Sequence, residues 1–100
     1  MKLFVDDLRT PPKSGFQCAK DFDGAVLLLK LLKFDFVTLD YDLGNGFTGL
    51  DILKFMHENK RYPENLNIHS DHSEGRFMML RYAEENFPDS VSITMNPFRE

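Results

Sequence analysis

The chain has 100 residues, 16 of them acidic and 12 basic, for a formal net charge of -4. That length fits one domain, 1–100, with one core, and the single Cys18 excludes a disulfide scaffold or a cysteine-rich zinc site. The acidic balance argues against a generic DNA- or RNA-coating protein. No apolar run reaches the ~18–20 residues that span a bilayer, and carboxylates follow Met1 too soon for a signal peptide, so a cytoplasmic chain without a membrane partner is expected.

In chain order, Lys2 to Val5 reads as a first strand, closed by Asp6 and Asp7. Asp7 to Gly15 reads as a loop, because Pro11 and Pro12 deny hydrogen bonds to helix and ladder alike. Asp21 or Asp23 caps a helix to about Lys33. Its run Ala25-Val26-Leu27-Leu28-Leu29 is apolar on nearly every side, which predicts a well-covered helix. Phe34 to Leu39 is a second strand, ended by Asp40 and followed by Asp42 and a loop with Gly44, Asn45 and Gly46. Thr48 to Asp51 has capping-box spacing and opens a helix to about Lys60. A turn at Tyr62-Pro63 leads to a short strand, Leu66 to His69. Ser73 or Asp71 then caps a helix to about Asn86, with Met79, Leu80, Ala83 and Phe87 on one stripe. Val91 to Thr94 is a last strand, followed by Asn96, Pro97 and Phe98, the last a lid or a packed ring.

The predicted order is β-α-β-α-β-α-β. Helix-length crossovers imply parallel strands and right-handed connections. The expected fold is α/β, a minimal flavodoxin-like three-layer domain with about four parallel strands and three helices. Open edge strands also make a homodimer an expectation. Ligands of such sheets bind beyond the carboxyl ends of the strands. The polar residues that close the four strands must therefore meet at one rim: Asp6 and Asp7, Asp40 and Asp42, His69 and Ser70, and Asn96.

Asp6, Asp7 and Asp40 at neighbouring strand ends repel one another at neutral pH unless a cation, a proton or an arginine relieves them. A Mg²⁺ or Mn²⁺ held by their oxygens is one reading; the other is that each Asp starts its loop through a cap or an Asx-turn. His69 stands where a general acid/base is useful, or is a half-buried histidine tied to the backbone. Ser70 can donate to a phosphate oxygen. Gly75 and Arg76, in the first turn of the third helix, suit an anion, although Arg76 equally suits a local salt bridge. The same choice holds for Arg9. Asp42 either joins the rim or orients its loop, and Asn96 offers an amide. His57 and His72 read as surface residues. Phosphate-loop, dinucleotide, nucleophile-elbow and zinc-protease motifs are lacking.

These residues resemble the receiver superfamily. Val5-Asp6-Asp7 looks like the acidic pair after its first strand, and Leu39-Asp40 with Gly49-Leu50-Asp51 looks like its phosphoacceptor, loop and next helix. Asn96, however, stands before Pro97 where receivers carry a lysine. The segment from Asp7 to Asp40 has room for one helix, as though one strand-helix unit were missing. The closer similarity is to the cyclic-phosphate processing receiver-like domain. It runs through Asp6-Asp7-x-Arg9-x-Pro11-Pro12, Leu39-Asp40-x-Asp42-Leu43-Gly44, His69-Ser70 with Gly75-Arg76, and Asn96-Pro97-Phe98, with Tyr41 where histidine is tolerated.

The resemblance implies a phosphoesterase acting on cyclic phosphates of nucleotides or RNA termini. Its ligand would be a small phosphorylated molecule or an RNA end. In that reading Asp6, Asp7 and Asp40 hold the divalent metal, and His69 works as acid or base with Asp40 and Asp7. Ser70, Arg76, Arg9, Asn96 and Asp42 bind substrate. The alternative is a phosphoacceptor or degenerate receiver that acts as a signalling or interaction module.

Overall fold

The computed structural model describes residues 1–97, so Phe98 lies outside the described residues. Five strands form one parallel sheet in the order β2-β1-β3-β4-β5. The strands are β1 (Lys2–Val5), β2 (Phe16–Ala19), β3 (Phe36–Leu39), β4 (Asn65–Ile68) and β5 (Ser92–Thr94). The helices are α1 (Phe22–Leu31), α2 (Gly49–Glu58) and α3 (Ser73–Asn86). This is the receiver-like α/β order expected of a flavodoxin-like sheet. No helix among the described residues is long and apolar enough to cross a membrane.

Two expectations about the sheet and its layers change. There are five strands rather than about four, because Phe16–Ala19 pairs with β1 in parallel, Leu3 opposite Gln17 and Val5 opposite Ala19. The strand that seemed missing is therefore present. Only a helix is lacking, since residues 6–15 join β1 to β2 as a loop, as the two prolines require. The layers also differ. Leu3, Val5, Val37, Leu39, Leu66 and Ile68 alternate onto one sheet face and share a single core with Ala25, Leu29, Ile52, Leu53, Met56, Met79 and Ala83. All three helices pack side by side on that face, so the expected third layer has no helix among the described residues.

Local signals explain the helices. Asp21 caps α1 by accepting from Gly24 N at 2.7 Å. Thr48 N donates to Asp51 Oδ2 at 2.8 Å, which closes the expected capping box of α2. His72, rather than Ser73 or Asp71, caps α3, its Nδ1 accepting from Gly75 N at 2.9 Å. Coverage of α1 is incomplete: Leu27 and Leu31 face solvent, because a single layer has only one face on which to bury a helix.

Candidate active site

Every strand end named from the sequence lies at the same rim, because all pairings are parallel. Beneath it, on the sheet face away from the helical core, runs a buried polar chain. Asp6, Thr38, Asn67 and His69 are all buried, His69 to 1% exposure. Asn67 Nδ2 approaches Thr38 Oγ1 at 3.0 Å. Thr38 Oγ1 lies 2.7 Å from His69 Nδ1, and His69 Nε2 lies 3.0 Å from Asp6 Oδ2. The Asn67 amide N–H donates to Thr38 Oγ1. With the imidazole neutral and its Nε2–H donating to Asp6, the Thr38 hydroxyl donates to His69 Nδ1. Burial pushes the His69 pKa below its ordinary range, against the opposing hydrogen bond and charge of Asp6. The ring also stacks on Phe4, with centroids 4.7 Å apart.

Asp6 Oδ1 accepts from Leu8 N at 2.9 Å and Arg9 N at 2.8 Å. The Asx-turn reading of Asp6 therefore holds together with its place at the rim. One oxygen from each of Asp6, Asp7 and Asp40 lies within 4.8 Å of the others. Asp40 Oδ1 accepts from Tyr41 N at 2.8 Å. Burial, followed by the charge of Asp6, holds the Asp40 carboxyl above the usual carboxylate range; the bonds from Tyr41 N and Ser70 oppose this, and Asp7 adds to it. Among the described residues Asp7 makes no hydrogen bond of its own. A hard divalent cation fits this donor set. All donors are carboxylate oxygens, their spacing is close to what one ion's oxygen shell spans, and the charges of Asp6 and Asp7, which add to the effect of burial on Asp40, are what a cation relieves.

The remaining predicted residues divide. Arg9 forms an ion pair with Asp71, joining the loop after β1 to the loop after β4 across the rim, and it also feels the charges of Asp6 and Asp40. Ser70 is buried, and its Oγ accepts from His72 N at 3.1 Å, so its hydroxyl oxygen already has a protein partner. Arg76 Nη1 donates to the Ser70 carbonyl at 3.3 Å, while its buried Nε has no partner among the described residues. Asp42 lies outside the carboxylate cluster and bridges Thr48, the loop-orienting alternative. Asn96 is exposed, and among the described residues its hydrogen bonds are made by its backbone. Gly75 admits no ligand: a Cβ there would overlap the Tyr41 ring, which leans on it and on His72.

His69 is at the predicted place but not in the predicted posture. Both ring nitrogens are bonded within the protein and the side chain is buried, with Nε2 engaged by Asp6. Thr38 and Asn67 are absent from the sequence reading. Their signal was period-2 alternation: Asn67 and His69 alternate with Leu66 and Ile68, and Thr38 sits between Val37 and Leu39. A parallel strand buried against helices on both faces is apolar throughout, so this alternation marks a polar second face.

A family model described as the cyclic-phosphate processing receiver domain matches residues 1–85 of the chain. Comparison with curated proteins and with solved structures found no significant match.

Proposed function

The chain belongs to the cyclic-phosphate processing receiver family, and from that premise we propose that its rim hydrolyses a cyclic phosphodiester to a monoester. The carboxylate cluster of Asp6, Asp7 and Asp40, with oxygens within 4.8 Å of one another, carries the reading. These three residues would hold a Mg²⁺ or Mn²⁺ ion, which when bound offsets charge on the phosphoryl oxygens. The chain's own groups do the rest. Water attacks phosphorus, a ring P–O bond breaks, and the proton lost by water ends on the departing alkoxide. Asp7, whose oxygens are not committed to protein donors, accepts that proton and returns it. Arg76, with an unpartnered Nε, and Arg9, exchanging Asp71 for the ligand, neutralise the non-bridging oxygens. His69 is a positioning residue that fixes Asp6. Asn96 is left to contact the nucleoside or RNA part of the substrate.

The test is turnover of 2′,3′-cyclic nucleotides and of linear phosphate esters, with and without divalent cation. Expected is cation-dependent opening of the cyclic substrate, falling ~10²–10⁴-fold in Asp7→Asn. Absence of turnover across the panel, or full activity of Asp7→Asn, overturns the reading. A mass gain on Asp40 from a small phosphodonor would instead support a phosphoacceptor switch.

A further inference from the structure

The outer face of α3 repeats itself when read backwards. Residues 74, 77, 78 and 81 fall at i, i+3, i+4 and i+7 and share one face, opposite the buried Gly75, Met79 and Ala83. On that face Phe77 is 58% exposed and Met78 46% exposed. Glu74 and Arg81 flank them and take part in no ion pair among the described residues. The stripe forms one wall of a groove of about 620 Å³, which Leu50 and Lys54 of α2 and Tyr82 and Glu85 of α3 complete. We propose that this face is the interface of a homodimer in which α3 packs antiparallel against its copy.

The argument is one of register. A two-fold axis midway between residues 77 and 78 sets Phe77 against the partner's Met78. The same axis sets Glu74 against the partner's Arg81, and Arg81 against the partner's Glu74. Both ion pairs arise from one placement, as an isologous interface requires. No other partner is implied by a face whose acid and base exchange places under a two-fold rotation. Apolar side chains sit at the centre and charges at the rim, the usual anatomy of an interface. The helix has 14 residues and is about 21 Å long, so the contact belongs with small interfaces.

Sedimentation velocity over a concentration series tests this on the full chain. Wild type should pass from monomer to dimer between about 1 and 500 μM, the range of a small interface. Glu74→Arg alone and Arg81→Glu alone each set like charges together twice, and each should weaken self-association at least tenfold. The double variant E74R/R81E restores it. An equal mixture of the two single variants also associates, because their faces are complementary. A wild type that stays monomeric throughout overturns the proposal, as does a dimer that the single variants leave unchanged or a mixture that does not reassociate. All substitutions are at exposed positions, and unchanged circular dichroism checks that they fold.

Discussion

Asn67 uses its whole hydrogen-bonding capacity. Its amide nitrogen donates to Thr38 Oγ1 at 3.0 Å and to the Asn96 carbonyl at 2.9 Å. Its oxygen accepts from Thr94 Oγ1 at 2.7 Å and from Asn96 N at 3.0 Å. One side chain thus ties the end of β5 to the chain that holds Asp6, so the backbone of Asn96 is oriented by the same residue that orients His69. Buried networks of this kind are costly to break, because each deleted partner leaves another polar group without water. Thr38→Val keeps the shape and removes one hydroxyl. It removes one hydrogen-bond partner from His69 Nδ1 and one from an Asn67 N–H, and should cost about 2–4 kcal/mol. For a domain of this size that lowers the melting midpoint by roughly 10–30 °C. A thermal scan checks it, and a loss under a few degrees would mean that the network carries little.

At the scale of elements, the loops over the rim are set by close backbone approaches. A Cβ on Gly49 would overlap the Asp40 carbonyl oxygen and the Met79 side chain, while Gly49 N donates to Tyr41 O at 2.7 Å. The start of α2 is thus held against the residue that ends β3, and the position of Asp40 depends on it. Gly49→Ala should displace α2 and cost about 1–3 kcal/mol, as overpacking does, with a loss of turnover larger than the loss of stability accounts for. Chemical denaturation and kinetics on the same sample separate the two. Elements also differ in how legible they were. The three helices were readable because capping residues and apolar stripes are local signals. β2 was not: Phe16-Gln17-Cys18-Ala19 has exposed positions at Gln17 and Cys18, and an edge strand with one neighbour imposes little pattern on its sequence.

At the scale of the molecule, a cation bound at the rim would join the ends of β1 and β3 and so report on the whole fold. A ligand at 100 times its Kd adds about 2.7 kcal/mol. At that saturation Mg²⁺ or Mn²⁺ should raise the melting midpoint by roughly 10–20 °C over a chelated sample. Asp40→Asn should lose that rise and, without cation, melt higher than wild type, because burial and its neighbours already disfavour its charge. An equal response of both proteins to the cation would place the ion elsewhere. The parallel α/β order, the rim shared by Asp6, Asp7, Asp40, His69 and Asn96, and the family were legible in the chain, because strand ends, crossover lengths and short motifs are local. That the helices share one face, that β2 exists, and that His69 is buried behind Asp6 rather than open to a ligand became visible only in the folded chain. Local patterns bring His69 and Asp6, 63 positions apart, to the same rim, but which side chain is covered and which bonds which depends on the packing around them.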